Sequence, residues 1–170
     1  MEAIKTKYKG IQFRSKLEAR VAVFFDYYGM KWEYEPQSFK LSTGIIYCPD
    51  FYLIDLDCYC EVKPLREAET DKYDLKITEN AYISIDEFFK LILFEKNICL
   101  IIGIPTDRNF ILFHRNGEKS DYDHVYPTFD TKMNPPRWRW WSCSFIEDYP
   151  KYGNIKQCAE IARYHDFFNF

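Results

Sequence analysis

The chain has 170 residues, of which 47% are apolar, 19% aromatic and 29% charged, with a formal net charge of −3. That length accommodates one domain with a sizeable core, and the aromatic content excludes a disordered or low-complexity chain. The acidic balance gives no global argument for a polyanionic partner, although such binding needs only a local basic surface.

The N-terminus, MEAIKTKYKGIQFRSK, lacks the apolar core of a secretory leader, and no run of 18 apolar residues occurs. A soluble cytoplasmic protein with no membrane association is expected. Positive charge concentrates in residues 1 to 20, where Lys5, Lys7, Lys9, Arg14, Lys16 and Arg20 face only Glu2 and Glu18, a local balance of +4.

Residues 15 to 29 read as the first helix. Ser15 suits its N-cap, Glu18 stands three residues later as in a capping box, and Gly29 suits the C-terminal stop. Leu17, Val21, Phe24, Phe25 and Tyr28 form its buried stripe. Glu18 has a second reading beside the cap: seven residues from Phe25, it points along the edge of the buried face. Residues 31 to 36 then read as a strand, with Trp32 and Tyr34 alternating against charged neighbours.

Residues 45 to 64, IIYCPDFYLIDLDCYCEVKP, read as a hairpin of two apolar runs, Ile45 to Ile54 and Cys58 to Val62. A two-residue loop at Asp55-Leu56 fixes the register so that the numbers of opposed residues sum to 111, which sets Asp50 across from Glu61. Opposed side chains on one face lie about 4.5–5.5 Å apart at Cβ, and like charges there are destabilising. A divalent cation taking oxygen from both acids would relieve that repulsion. Lys63, two residues beyond Glu61, shares its face. The plain alternative is a solvated polar face on an ordinary hairpin.

The six cysteines (Cys48, Cys58, Cys60, Cys99, Cys143, Cys158) lie mostly in apolar runs, where a reduced thiol packs as a small hydrophobe. Cys58 and Cys60 face away from Glu61. With three scattered histidines and no Cys-x-x-Cys pair, a zinc site has little support.

Residues 65 to 82 are polar and read as a loop or irregular segment. Ser84 to Lys96 reads as a second helix opened by a Ser84-x-x-Glu87 capping box. Ile98 to Ile104 reads as a strand buried on both faces and ended by Pro105, followed by a strand over Asn109 to His114 and a turn at Arg115-Asn116-Gly117. Residues 118 to 136 have no clear pattern. PPRWRWWSCSF offers two readings: a basic aromatic strip that holds a nucleic-acid strand through Arg137 and Arg139, or an alternating edge strand. A last helix spans roughly Ile155 to Phe168. The leading order is therefore α-β-β-β-α-β, a mixed α/β arrangement.

On these residues the chain resembles the PD-(D/E)XK nuclease superfamily. The signature is read as Pro49-Asp50, then Glu61-Val62-Lys63, behind a first helix that carries Glu18. The run FRSKLEAR, then WEYEP, the Pro-Asp strand and EVKP looks like small nuclease-like proteins of phages and mobile elements. The resemblance implies a restriction-endonuclease-like αβββαβ core, a mixed sheet flanked by helices, over about residues 8 to 105. Residues 106 to 170 would be a C-terminal helical extension of the same single domain. It further implies Mg²⁺-dependent hydrolysis of DNA phosphodiester bonds, with Mn²⁺ as a substitute, in recombination, repair or restriction, endonuclease or exonuclease being undecided.

Asp50, Glu61 and the Val62 carbonyl would hold the metal, Glu18 would bind it through water or complete a second site, and Lys63 would orient or help deprotonate the attacking water. Arg14, Lys16 and Arg20 would contact phosphates or stand as solvated helix-end charges. Lys90 is the candidate contribution of the second helix. DNA is the expected partner, many relatives work as homodimers, and a phage-encoded copy would act in the host cytoplasm. The competing reading is a catalytically inactive nucleic-acid-binding or inhibitory protein on the same fold, against which the intact Asp50, Glu61 and Lys63 argue.

Overall fold

Two turn residues at positive φ, Lys9 (φ 47) and Gly10 (φ 82), reverse the chain almost at once. Positive φ at both central positions is what a two-residue hairpin turn needs. β1 (Thr6–Tyr8) and β2 (Ile11–Phe13) therefore pair antiparallel, a hairpin that the sequence pattern did not reveal. The structure, a computed structural model, describes residues 4–66, 74–78, 81–106, 109–116, 119–142 and 155–167.

α1 (Lys16–Tyr28) begins at Ser15, whose side chain accepts from the Glu18 N–H, and stops at Gly29 in the left-handed region, as the sequence indicates. Then come β3 (Trp32–Tyr34), a small pair of β4 (Phe39–Lys40) with β5 (Ile46–Tyr47), β6 (Phe51–Leu53) and β7 (Cys58–Lys63). The apolar run from Ile45 is thus not one strand. Cys48, Pro49 and Asp50 bend it, because Pro49 has no N–H to give a ladder.

The β6–β7 connection is a four-residue turn, a 3₁₀ turn at Ile54–Leu56 closed by Asp57 at φ 46, rather than two residues. The register survives. Phe51↔Cys60, Tyr52↔Tyr59 and Leu53↔Cys58 all sum to 111, because shortening both strands by one residue leaves the sum unchanged.

The segment read as irregular contains β8 (Leu75–Thr78) and β9 (Ala81–Ile83), a bulged hairpin. α2 (Ile85–Leu93) carries the expected Ser84–Glu87 capping box. β10 (Ile98–Ile102) is buried at every residue and lies parallel to β7. β11 (Phe110–Asn116), β12 (Lys119–Asp130) and β13 (Arg137–Ser142) follow as an antiparallel meander, and α3 (Ile155–Tyr164) is the last described helix.

Among the described residues the expected helical extension is therefore mainly three sheet strands, with α3 as its one helix. Arg115 and Asn116 belong to the β11 ladder rather than a turn, and Gly117 falls outside the described residues. The main sheet runs β3-β6-β7-β10-β11-β12-β13, parallel only at β7–β10, so the fold is mixed α/β around a mixed sheet.

β12 escaped the sequence reading because Pro127 argues against a central strand. Its first half pairs with β11 and its second half with β13, overlapping only at Val125. At Pro127 the strand has one neighbour, and the Pro127 carbonyl accepts instead from the Tyr28 hydroxyl at 2.7 Å.

The sheet divides the core in two. Cys58, Cys60 and Val62 face α1 with Phe24, Phe25 and Phe51, whereas Tyr59 faces the α2 side with Leu91, Phe94 and Leu100. Strand alternation then directs Glu61 and Lys63 to the α2 side. α1 is buried well beyond its expected stripe, from Glu18 and Ala19 through Val21–Phe25, because α3 and β1 cover the side that the sheet leaves free. No described helix is long and apolar enough to cross a membrane.

Candidate functional site

β6 and β7 are antiparallel, so the start of β6 and the end of β7 lie at the same end of the sheet. That end gathers Asp50, Glu61 and Lys63. Asp50 precedes the first rung of the ladder, and its Oδ2 accepts the Val62 N–H at 2.7 Å, continuing the tie between the strands after the rungs have stopped. The N–H and C=O of a strand residue point to one side. The Val62 carbonyl therefore faces the Asp50 side too.

Both acids are deeply buried, Asp50 at 4% exposure and Glu61 at 8%. Glu61 is held at both oxygens: Tyr47 of β5 donates to Oε2 at 2.7 Å, and the Lys63 ammonium lies 2.8 Å from Oε1. Burial, reinforced by the Glu61 charge, pushes the Asp50 carboxyl up to about 8, against the pull of the Val62 N–H. Burial and then Glu61 likewise push the Tyr47 hydroxyl far up, so it stays a donor.

Lys63 also reaches Glu87 Oε1 at 3.4 Å. Burial lowers its pKa, but Glu61, then Glu87 and Asp50, more than offset this and leave it raised. Burial acts on Glu87 in the raising direction, and Lys63 with the Ser84 donors outweighs it, so Glu87 ends lowered. Topology explains the contact. α2 lies on the crossover between two parallel strands, and this brings its N-terminus to the C-terminal end of β7.

Glu18 comes from the other side of the sheet. Its carboxylate does not complete a capping box but accepts from the Ser15 hydroxyl at 2.7 Å and the Tyr34 hydroxyl at 2.5 Å. Tyr34 in turn accepts the Arg14 N–H at 3.0 Å, and Arg14 Nη2 lies 2.6 Å from Asp50 Oδ1. Glu18 is thereby linked to Asp50 through Tyr34 and Arg14. The named acids Glu18, Glu35, Asp50, Glu61 and Glu87 outnumber the cations Arg14 and Lys63, so the site is short of positive charge. No known protein family, curated protein or solved structure matches this chain.

Of the residues singled out in the sequence, the structure thus brings together Asp50, Glu61, Val62, Lys63 and Arg14, with Glu18 one tyrosine away. Lys16 sits in the first turn of α1, beside the same end. Arg137 and Arg139 do not join them. β13 packs by the Ile54–Leu56 turn and by Tyr28, at the opposite end of α1, a helix about 20 Å long. There Arg139 pairs with Asp130 at 3.1 Å, on the edge strand that the Trp-x-Trp alternation indicates.

Where the sequence offered Lys90 as the contribution of α2, the α2 residue in contact with Lys63 is Glu87. Its only sequence signal, the capping box, explained it fully without function. Tyr47 carried no signal, because the pattern merged β5 into the hairpin. Cys58, Cys60 and Cys99 form a buried thiol cluster in the core, each fully enclosed. Among the described residues no three His, Cys, Asp or Glu side chains converge as a ready-made metal cage.

Proposed function

We propose that the chain is a metal-dependent nuclease that hydrolyses phosphodiester bonds of DNA by PD-(D/E)XK-type chemistry. The observation that carries this reading is the buried pair Asp50 and Glu61 at one end of β6–β7, with Lys63 bound to Glu61 on the same face. Two acids placed side by side out of water cost stability that apolar residues would not, so their presence calls for a use. Along the main sheet the elements run α1-β3-β6-β7-α2-β10, the αβββαβ order of a restriction-endonuclease-like core, which supports the same reading.

The donor set fits Mg²⁺. The oxygens are hard, the acids outnumber the cations Arg14 and Lys63, and Mg²⁺ keeps several waters and needs only one or two carboxylates. Asp50, Glu61 and the Val62 carbonyl would hold it, with Glu18 as the outlying acid. When bound, the cation lowers the pKa of a water and offsets charge on the phosphate in the transition state. The protein's own part is positional. Tyr47 fixes the Glu61 carboxylate, the Val62 N–H fixes Asp50, and the Lys63 ammonium orients the attacking water and meets the developing negative charge. DNA as partner, a homodimeric enzyme and a cytoplasmic setting, in a phage-infected host for a phage-encoded copy, belong to this reading.

The test is a cleavage panel of linear, nicked, single-stranded and branched DNA with Mg²⁺ or EDTA. Cleavage of at least one substrate should require Mg²⁺ and disappear in Asp50→Ala and Lys63→Ala. Cleavage that survives EDTA, or both variants cutting as the wild type does, would end the assignment.

A further inference from the structure

One oxygen of Asp50 is committed and the other is guarded. Oδ2 is tied to the Val62 N–H at 2.7 Å, which leaves Oδ1 as the oxygen turned to an incoming cation. Arg14 Nη2 occupies that oxygen at 2.6 Å. The same guanidinium is anchored through Nε to Glu35 Oε1 at 2.7 Å. The Arg14 side chain is 55% exposed and that of Asp50 only 5%, so the arginine has room to move and the acid does not. Glu35 stands beside the site by a backbone tie, its N–H donating to the Asp50 carbonyl at 2.8 Å.

We propose that Arg14 is a cation-operated phosphate clamp: it occupies Oδ1 of Asp50 in the metal-free protein and is released to a substrate phosphate when a divalent cation takes that oxygen. The inference rests on the nuclease reading and adds the residue that receives the substrate. Its physical basis is competition between like charges. A guanidinium and a divalent cation on one carboxylate oxygen repel strongly where water is scarce. Displaced from Oδ1 but still held at Nε by Glu35, the guanidinium keeps its outer nitrogens at the mouth of the site. A planar fork of N–H donors matches two oxygens of a phosphate, which a lysine does not. The exchange also gives an order of events, since the clamp forms only where a metal is present to support hydrolysis.

The experiment is calorimetric titration of MnCl₂ into the EDTA-stripped 170-residue chain, for wild type, Arg14→Gln, Arg14→Lys and Asp50→Asn. Arg14→Gln should bind Mn²⁺ about tenfold more tightly than wild type, and Arg14→Lys should stay close to wild type. A second readout is affinity for a labelled DNA duplex in the Lys63→Ala background, which removes cleavage. Mn²⁺ should strengthen that binding when Arg14 is present and not in Arg14→Gln. Mn²⁺ affinity unchanged or weakened in Arg14→Gln overturns the clamp while leaving the nuclease reading standing. Equal Mn²⁺ binding by wild type and Asp50→Asn removes both. Melting curves in EDTA control for folding, and Arg14→Lys alone still reads the duplex effect if Arg14→Gln does not fold.

Discussion

The N–H of Val62 donates to Oδ2 of Asp50 at 2.7 Å, one step past the last rung of the β6–β7 ladder. A side chain there does what a backbone carbonyl does elsewhere in the sheet, and this fixes one acid by the other acid's own strand. The price of that placement is set by burial.

Burial and the Glu61 charge raise the folded-state pKa of Asp50 to about 8, from an ordinary 3.8. Between about pH 4 and pH 8 the unfolded chain has released a proton that the folded chain keeps, so metal-free stability falls as pH rises. In EDTA the melting temperature should drop by about 5–10 °C from pH 5 to pH 8, and the Asp50→Asn variant should lack most of that drop. Mn²⁺ needs the ionised carboxylate, so the stabilisation it gives should grow over the same window. A flat profile for the wild type in EDTA would contradict the burial argument.

Tyr47→Phe removes the donor to Glu61 Oε2 and leaves an acid of 8% exposure with one partner fewer. The loss should be about 1–3 kcal/mol in denaturant unfolding at neutral pH. With the carboxylate less well fixed, cleavage should fall about 10-fold or more, mostly in kcat. A variant as active as wild type would show that Tyr47 only fills space.

Ser15→Ala tests the helix that brings Glu18. Ser15 accepts from the Glu18 N–H at 3.1 Å and donates to Glu18 Oε1 at 2.7 Å. Loss of the cap should cost about 1 kcal/mol, a shift of about 2–4 °C in Tm. Glu18→Gln keeps the cap's acceptor and should leave Tm closer to wild type, so the pair of variants separates capping from the carboxylate's contact with Tyr34.

What the sequence disclosed followed from periodicity and punctuation. The register sum of 111 was legible because Glu61 and Asp50 sit in runs whose period of two survives a wrong turn length. The caps of α1 and α2 were legible because Ser15, Gly29 and Ser84 act locally. The β1–β2 hairpin was hidden because its turn, Lys9-Gly10, is flanked by strands of only three residues. β12 was hidden by Pro127, tolerated because the strand changes neighbours there. Arg14, Tyr34, Tyr47 and Glu87 converge on the acids from four separate elements or their flanks, and no spacing in one chain encodes that convergence.

Glu87→Gln isolates the contact between α2 and Lys63. Glutamine can replace glutamate in a capping box, so α2 should keep its N-terminus and the Tm should change little. What disappears is a negative charge 3.4 Å from the ammonium, one of the causes that raise the Lys63 pKa. Removing it lowers that pKa, and the alkaline limb of the pH–rate profile should move to lower pH, with cleavage at neutral pH little changed because Glu61 still holds Lys63 charged there. A Glu87→Gln enzyme with the wild-type profile would confine Glu87 to its helix cap, and a large loss of stability would mean that the carboxylate serves the fold before the site.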